Sequence, residues 1–406
     1  MLNIINKEKT LSVIFLLPLF WMATGMLWDG DGDMRLVPII LIVSLISTFY
    51  FRFEVIKENF KNSIWIKALL VSGVFSIVAY QTYGFDSREL RATLGILFLL
   101  SITPKKYYTV ERLQWFLFFS AITCFVYAYY YQEMTLLNRG AWPINAIPFA
   151  TICGLISVSS IGVIFLQLNK LLKWLSIFSL ILSFSSLLIS QSRGPLIAFV
   201  SIIVFVLFFY GLKKSKLKTI VFLCLVILSC YFISNIPIVK ERIETTVAEY
   251  NSIKNGNYNT SIGYRINMQK IAFKLWCKKP IIGYGKDIRY EFDEMLLKGD
   301  IDKELHRFIT MTFHNGYLDK FVMYGLMGGG IFLLFIIYPI IVARKYRETN
   351  HWILLILLSG FIAICNLSDA PFINAQAAIY YFFLIGFIMT MLENEREKQD
   401  EALLLS

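Results

Sequence analysis

Charged residues are scarce in this sequence: they make up 17% of its 406 residues, whereas 57% are hydrophobic. The hydrophobic residues form repeated runs of roughly 16 to 22 residues, about the length that crosses a bilayer as a helix. A chain of this composition cannot bury its apolar surface as a water-soluble globule. The composition therefore predicts an all-α, polytopic membrane protein.

Several motifs of known enzyme classes are also missing. The sequence has no glycine-rich phosphate loop, no HExxH and no GxSxG, and we expect no DxD pair of metal-binding acids in its long outside loop. A metal-dependent sugar-nucleotide transferase and a serine hydrolase are therefore disfavoured. Of its six cysteines only Cys277 lies outside an apolar run, and none forms a CxxC pair. We therefore expect no disulfide framework, no metal site and no cofactor.

Twelve apolar runs are candidate membrane spans. The first lacks a small-residue cleavage site and is followed at once by further spans, so it is expected to be a retained helix and not a signal peptide. The predicted spans are 11–28, 36–51, 64–82, 92–103, 113–132, 146–167, 173–190, 195–212, 219–238, 317–342, 352–368 and 374–392.

The basic residues predict which side each loop occupies. The net charge of +11 would suggest a nucleic-acid partner in a soluble protein, but here the basic residues fall in short loops, as the positive-inside rule describes. With a cytoplasmic N-terminus, nineteen basic residues lie inside and the short outside loops hold five: Arg35, Arg88, Arg91, Arg139 and Arg193. Both termini are thus predicted to be cytoplasmic, and no nucleic-acid partner is expected.

Two of the outside arginines have contrasting surroundings. Arg35 follows the acidic stretch "DGDGD", which predicts a local ion pair. Arg193 lies in "QSRGP" between two apolar runs, with no acid within ten residues on either side. Arg193 is either a topological anchor or a cation held at the membrane surface to bind an anion, with Gly194 and Pro195 making the tight turn that presents it.

One outside segment is long and divides the chain into regions. The expected regions are membrane helices in 1–238, a mainly helical periplasmic loop in 239–315, further membrane helices in 316–392 and a cytoplasmic tail in 393–406. Long loops in compact proteins are usually functional or disordered. The helical stretches in this loop favour a folded element lying over the membrane surface.

The stretch "IGYRINMQKIAFKLWCKK" has the periodicity of a helix lying in the membrane interface. Arg265 and Gln269 lie on the side opposite a lysine stripe, so Arg265 either extends to lipid headgroups or turns inward to a site. The stripe consists of Lys270, Lys274 and Lys278, and the predicted apolar side of Ile262, Ile266, Phe273 and Trp276.

Two more polar residues are expected at the outside face. His314 stands where the long loop returns to the membrane, and at a helix N-terminus the dipole keeps an imidazole neutral, as a general base requires. Asn315 could orient this histidine or cap the helix. Asp369, at the outside end of a later span, could orient His314 or bind an acceptor hydroxyl. The alternative for each is a purely structural or solvated residue.

In order and spacing these motifs resemble the bacterial O-antigen ligase family, which is related to the O-antigen polymerases. The matching stretches are "QSRGP" with Arg193, "SIGYR" with Arg265, "PIIGYG", "HNGYLDKFVMYGLMG" with His314, and "LSD" with Asp369. The resemblance extends over nearly the whole chain, because the number of spans and the position of the long loop also agree.

The resemblance implies a metal-independent, inverting glycosyltransferase of the bacterial inner membrane with a GT-C-like fold. Such an enzyme moves a glycan from undecaprenyl pyrophosphate to a sugar hydroxyl of lipid A-core oligosaccharide, on the periplasmic face. Arg193 and Arg265 would stabilise the pyrophosphate leaving group and His314 would be the general base. Asp369 and Asn315 are expected at the substrate. Arg139 in "NRGAWPIN" and Arg91 in "LRATLG" match the family more loosely and are expected as headgroup contacts.

Three alternatives remain open from the sequence. An O-antigen polymerase would use the same residues with a second lipid-linked glycan as acceptor; "LSD" and "HN…GLMG" favour the ligase. A transporter or flippase of lipid-linked sugars would have charges near the bilayer midplane and repeated halves, and neither is evident. His306 lies close enough to His314 in sequence to compete for the role of base. The sequence does not predict the oligomeric state.

Overall fold

The computed structural model of the protein describes residues 2–405 except 83, 85, 86, 136, 165–168, 209–234, 236 and 348–350. In these residues all regular structure is helical, with no β-strand. The α-helices are α1 (Leu2–Ile14), α2 (Leu17–Ala23), α3 (Gly32–Phe51), α4 (Glu54–Asn62), α5 (Ile64–Thr82), α6 (Ser87–Ile102), α7 (Val110–Tyr129), α8 (Ala146–Ile164), α9 (Lys170–Ile189), α10 (Arg193–Val206), α11 (Pro237–Lys254), α12 (Ser261–Lys278), α13 (Ile288–Leu297), α14 (Lys303–Ile309), α15 (Gly316–Lys345), α16 (Trp352–Ser368) and α17 (Ala375–Leu405).

The polytopic membrane architecture predicted from the sequence is confirmed. Eight helical segments of the described chain are long and apolar enough to cross a membrane, and α10 and α16 are shorter apolar helices. Ten of the twelve predicted spans coincide with these segments. The predicted span 92–103 lies mainly in α6, which has 16 residues, and nearly all of 219–238 lies outside the described residues.

The helix α17 forms the centre of the membrane bundle. Its residues 375–392 are all buried by the surrounding protein. The hydroxyl of Tyr380 donates to the carbonyl of Met22 at 2.9 Å, and that of Tyr381 donates to the carbonyl of Phe335 at 2.8 Å. Buried hydroxyls need such partners, and these two fix α17 against helices that are far away in sequence.

The loops predicted to lie inside contact one another at one end of the bundle. Lys105 pairs with Glu397 at 2.9 Å, and Lys106 pairs with Glu8 at 3.0 Å. The predicted local pair of Arg35 is confirmed, since its guanidinium lies 2.9 Å from Asp29 in the "DGDGD" stretch at the other end. The predicted inside and outside residues therefore separate to opposite ends of the helices.

The long loop has a hydrophobic core of its own, built by α12, α13 and α14. Met268, Ala272 and Leu275 of α12 are buried there together with Phe292 and Ile309. The lysine stripe of α12 is exposed, as predicted. On the predicted apolar side Phe273 is 54% exposed, and Ile262, Ile266 and Trp276 are half-buried. A separate set of apolar residues, Met268, Ala272 and Leu275, packs in the loop core.

The helices α12, α13 and α14 of the long loop are called the loop layer below. The stretch "PIIGYG" joins the loop layer to α15 at a break in α15. Gly325 has φ +60°, and the amide of Leu326 donates to the carbonyls of Pro280 and Ile281 at 3.0 and 3.2 Å. A Cβ atom on Gly325 would lie 2.0 Å from the Ile281 carbonyl oxygen, so the close approach requires glycine. The loop layer and the helix that begins just after His314 are thereby held together through their backbones.

Candidate active site

The "QSRGP" stretch forms a tight connection between α9 and α10. Gln191 has a left-handed backbone with φ 54°, and α10 begins at Arg193, so Gly194 and Pro195 lie in its first turn. The prediction that Gly194 and Pro195 make the turn is therefore wrong. A proline is tolerated in a first turn because its missing N–H has no partner there. The role of Gly194 is close packing, since a Cβ atom there would lie 2.4 Å from the Ser368 hydroxyl.

Arg193 pairs with an acid that is distant in sequence. Its Nη2 atom lies 2.7 Å from Oε1 of Glu249 on α11, and the other carboxylate oxygen of Glu249 accepts from the amide of Ile262 at 3.1 Å. Arg193 is thus paired, although its sequence neighbourhood contains no acid. Burial raises the pKa of Glu249, but the hydrogen bonds from Arg193 and Ile262 outweigh this effect and leave the pKa below its ordinary value.

Arg139 lies beside the same turn. Its guanidinium donates to the Gln191 carbonyl at 2.7 Å and to the Ser192 hydroxyl at 3.3 Å. The pKa of Arg139 is lowered to about 10. Burial is the largest cause, and repulsion from Arg242, Arg193 and Arg265 adds to it. The four guanidinium groups are therefore close enough to repel one another, and they form a cluster suited to an anion.

Arg242 belongs to this cluster and was not identified from the sequence. It lies on α11 seven residues before Glu249, and in the described part of the chain its buried Nε atom has no hydrogen-bond partner. Burial and repulsion from Arg193 lower its pKa, while Glu249 counteracts them. The sequence does contain one signal: Arg242 and Glu249 are seven residues apart and so lie on the same face of a helix. That spacing points to the site only when it is known that Arg193 contacts this face.

Arg265 turns inward, as one of its two sequence interpretations predicted. Its Nη1 atom donates to the carbonyl of Ser368 at 3.3 Å, and Gln269, one turn further along α12, donates to the carbonyl of His314 at 3.4 Å. This face of α12 therefore contacts both the end of α16 and the start of α15.

His314 and Asp369 are in contact. The Nδ1 atom of His314 lies 3.1 Å from Oδ1 of Asp369, and both side chains are mostly buried. His314 has a left-handed backbone with φ 51°, which is uncommon for a residue other than glycine and is typical of functional sites. The contact leaves Nε2 of the imidazole as the ring nitrogen available to a substrate.

Several polar contacts hold His314 in this conformation. Asn315 caps α15 by accepting from the amides of Tyr317 and Leu318, both at 3.1 Å. Capping was one of the two roles expected for this residue. Asp319 accepts from the amide of Phe313 at 3.1 Å and from the Thr312 hydroxyl at 2.7 Å. These caps and turns fix the backbone on both sides of the histidine.

Other candidate residues have partners away from this cluster. Arg91 donates to the buried Asp33 at 3.0 Å, and His306 pairs with Asp293 at 2.8 Å within the loop layer. The long loop also contains a D-x-D sequence, Asp300 to Asp302, and Asp302 caps α14 by accepting from the Leu305 amide. In the described chain no three His, Cys, Asp or Glu residues are grouped to hold a metal ion.

An apolar groove leads to the arginine cluster. It has a volume of about 270 Å³ and lies between the end of α9, the start of α10 and α11. Its walls are mainly aliphatic, and Arg193 and Arg242 both line it. The aliphatic side chains include Leu187, Leu188, Leu196, Ile197, Val239, Ile243 and Val247.

Comparison with known proteins agrees with the resemblance seen in the motifs. Residues 178–333 match the family described as O-antigen ligase, and this segment includes Arg193, Arg265 and His314. The chain is 25% identical over 364 residues to the O-antigen ligase of Escherichia coli (strain K12), and the match covers 84% of both chains. It is 27% identical over 179 residues to an uncharacterized protein of Haemophilus influenzae, covering 43% of this chain and 44% of the relative. The comparisons therefore confirm that the chain is similar to the O-antigen ligase family, through residues 178–333 and through most of the length of one relative.

Proposed function

We propose that this protein is an O-antigen ligase that transfers a glycan from undecaprenyl pyrophosphate to a sugar hydroxyl of lipid A-core oligosaccharide. One observation carries the proposal: the segment of Ser368 and Asp369 contacts all three elements that bear the candidate residues. Gly194, next to Arg193, packs on the Ser368 hydroxyl; Arg265 donates to the Ser368 carbonyl; and Asp369 contacts His314. Cations and a base thus adjoin one another at the end of the bundle predicted to face the periplasm.

The arginines stabilise the leaving group. When the bond between the anomeric carbon and the pyrophosphate oxygen breaks, negative charge develops on that oxygen. Guanidinium groups bind phosphate oxygens through paired N–H donors and stay charged, so they supply this stabilisation without a metal. Arg193 and Arg265 act in this clamp, with Arg139 supporting the turn that bears Arg193.

His314 takes the proton of the acceptor. A sugar hydroxyl has a pKa far above neutrality, so its proton must leave as the new bond to the anomeric carbon forms. In this mechanism Nε2 of His314 accepts that proton while Nδ1–H donates to Asp369, which orients the ring and stabilises the imidazolium. Direct attack on an α-linked donor inverts the anomeric centre.

The polyprenyl chain of the donor is suited to the apolar groove beside the arginine cluster. The groove between α9, α10 and α11 is lined mainly by aliphatic side chains, and Arg193 and Arg242 also line it. A polyprenyl chain lying there would present its pyrophosphate to the guanidinium groups. The same arrangement agrees with an enzyme of the inner membrane whose reaction occurs on the periplasmic face.

A reconstituted transfer assay tests the proposal. Purified protein in lipid vesicles is given the lipid-linked glycan alone, then together with lipid A-core, each with and without EDTA. We expect glycan attachment only when lipid A-core is present, with the rate unchanged by EDTA. Elongation of the lipid-linked glycan without lipid A-core would instead identify an O-antigen polymerase, and loss of activity in EDTA would contradict the metal-free clamp.

The same assay separates the clamp residues from other arginines. Lysine keeps the charge but not the paired donors, so Arg193→Lys and Arg265→Lys should each reduce the transfer rate by about 100-fold or more, as loss of a leaving-group donor does elsewhere. Arg289→Lys is the matched control, because Arg289 is exposed on α13 of the same loop. Equal rates in the clamp variants and the control would rule out the clamp.

A further inference from the structure

The carboxylate of Glu249 occupies the position at Arg193 that an anionic ligand would take. It accepts from a guanidinium Nη2 atom at 2.7 Å and from a backbone amide in the first turn of α12 at 3.1 Å. A guanidinium and an amide at a helix N-terminus are the two donor types that bind phosphate most often in proteins. The acid thus satisfies, in part, donors that suit a phosphate group.

We propose that Glu249 is an exchangeable counter-anion for Arg193: its carboxylate holds the guanidinium while no donor is bound, and the donor's pyrophosphate replaces it. The inference rests on the proposed function, because it assigns Glu249 a part in donor binding. Glu249 does not touch the reacting atoms and acts through Arg193.

The contact between Arg193 and Glu249 does not use all the hydrogen-bond donors of Arg193. The carboxylate contacts Arg193 through Nη2, and the buried Nε atom of Arg193 has no hydrogen-bond partner among the described residues. A pyrophosphate has enough oxygens to accept from Nε and Nη2 together, and such paired contacts are stronger than single ones. Exchange of the carboxylate for the donor therefore satisfies a buried group that is otherwise unpaired.

The helix that carries Glu249 is weakly held. In α11 none of the side chains described from Val239 to Lys254 is fully buried, and Ile243 and Val247 are 46% and 53% exposed. Regions with few buried contacts are the ones that move at low energetic cost. A small displacement of α11 therefore frees Arg193 without disturbing the membrane bundle.

The charge balance of the cluster favours such an exchange. Four arginines meet there, Arg139, Arg193, Arg242 and Arg265, and repulsion among them contributes to the lowered pKa of Arg139. Glu249 reduces this repulsion before the donor binds. The displaced carboxylate remains near Arg242, with which it also interacts electrostatically.

A different role for Glu249 predicts the opposite result. If Glu249 served only to hold Arg193 in the direction that the donor needs, removal of its charge would weaken donor binding. If it competes with the donor, removal of its charge strengthens binding. Glutamine is the decisive replacement, because its amide oxygen still accepts from the Ile262 amide while the negative charge is lost.

The experiment measures the Kd of undecaprenyl pyrophosphate for full-length protein in lipid nanodiscs. We expect Glu249→Gln to bind this lipid roughly three to ten times more tightly than the wild type, a change typical of removing one partly exposed charge contact. In the transfer assay its KM for the lipid-linked donor should fall by the same factor. Glu244→Gln, an exposed acid on the same helix, is the matched control and should leave both values unchanged.

An unchanged or larger Kd for Glu249→Gln would overturn the inference. Thermal unfolding of the same samples shows whether the variant is folded, and Glu249→Asp supplies a second test: the charge remains, so its Kd should not fall. Transfer by the wild-type protein decides the proposed function separately, so a functional ligase in which Glu249→Gln binds the lipid no better contradicts the inference alone.

Discussion

At the scale of single residues, the site depends on contacts between residues far apart in the sequence. His314 and Asp369 are separated by 55 positions and lie 3.1 Å apart, and Arg193 reaches Glu249 across 56 positions. Each of these proposed catalytic side chains has a partner that fixes its direction. Positioned groups of this kind contribute more to rate than the same groups in water, because no reorganisation is needed during the reaction.

Replacement of His314 by asparagine tests the base at this scale. Asparagine tolerates a left-handed backbone better than most residues, so His314→Asn should fold normally and lose only the base. We expect the transfer rate to fall by about 100-fold or more while the KM for the donor changes little. His306→Asn is the matched control and should retain activity, because His306 pairs with Asp293 within the loop layer. Full activity of His314→Asn would disprove its role as base.

At the scale of elements, the break in α15 determines where the loop layer sits. Gly283 and Gly325 both have left-handed backbones, and a Cβ atom on Gly283 would lie 2.6 Å from the Gly325 amide nitrogen. The amide of Tyr284 also donates to the carbonyl of Val322 at 2.9 Å. The loop layer and α15 therefore contact each other through backbone atoms, and a side chain at position 283 or 325 would force these atoms apart.

Alanine at position 325 should destabilise this junction. Its positive φ and the close Ile281 carbonyl oppose a side chain, so Gly325→Ala should lower the free energy of unfolding by about 1 to 3 kcal/mol. The measurement is thermal unfolding in detergent. Gly330→Ala is the control: nothing lies within 4 Å of a Cβ there, and alanine favours a helix, so its stability should be equal or higher. An unfolding temperature of Gly325→Ala equal to that of Gly330→Ala would contradict the interpretation.

The elements were easier to predict from the sequence than their rotations and contacts. Apolar runs of spanning length identify membrane helices because the bilayer requires every backbone group to be paired within a segment. The packing of α12 on the loop core was not predicted, because periodicity does not show that Met268 is buried there while Phe273 is exposed. The partner of Arg193 was also missed, because an acid 56 positions away is visible only after folding.

At the scale of the whole molecule, the two ends of the helix bundle differ in chemistry. At one end lysines pair with acids of the N-terminal and C-terminal helices, as Lys106 does with Glu8 and Lys105 with Glu397. At the other end arginines cluster beneath a folded loop. This division agrees with the positive-inside rule, which predicts that the arginine cluster faces the periplasm.

Cysteine labelling tests this orientation. Cys277 is exposed on α12, whereas the other described cysteines, Cys124, Cys153 and Cys365, are buried. A membrane-impermeant maleimide should therefore label the protein in spheroplasts and should not label it in inverted membrane vesicles. Cys277→Ser should abolish the labelling in spheroplasts. Labelling confined to inverted vesicles would reverse the predicted topology.

The burial of α17 has a consequence for the order in which the protein is assembled. This helix follows the other described helices in the chain, yet its residues 375–392 are all buried by the helices around it. During synthesis the earlier helices enter the membrane before the helix on which they pack exists. Because Asp369 is also made after the rest of the proposed site and shortly before α17, the pairing of His314 and the packing of the bundle are completed together, once α17 has been made. Chains interrupted earlier would reach the membrane without a working site and with an incomplete core, a form that quality-control proteases recognise.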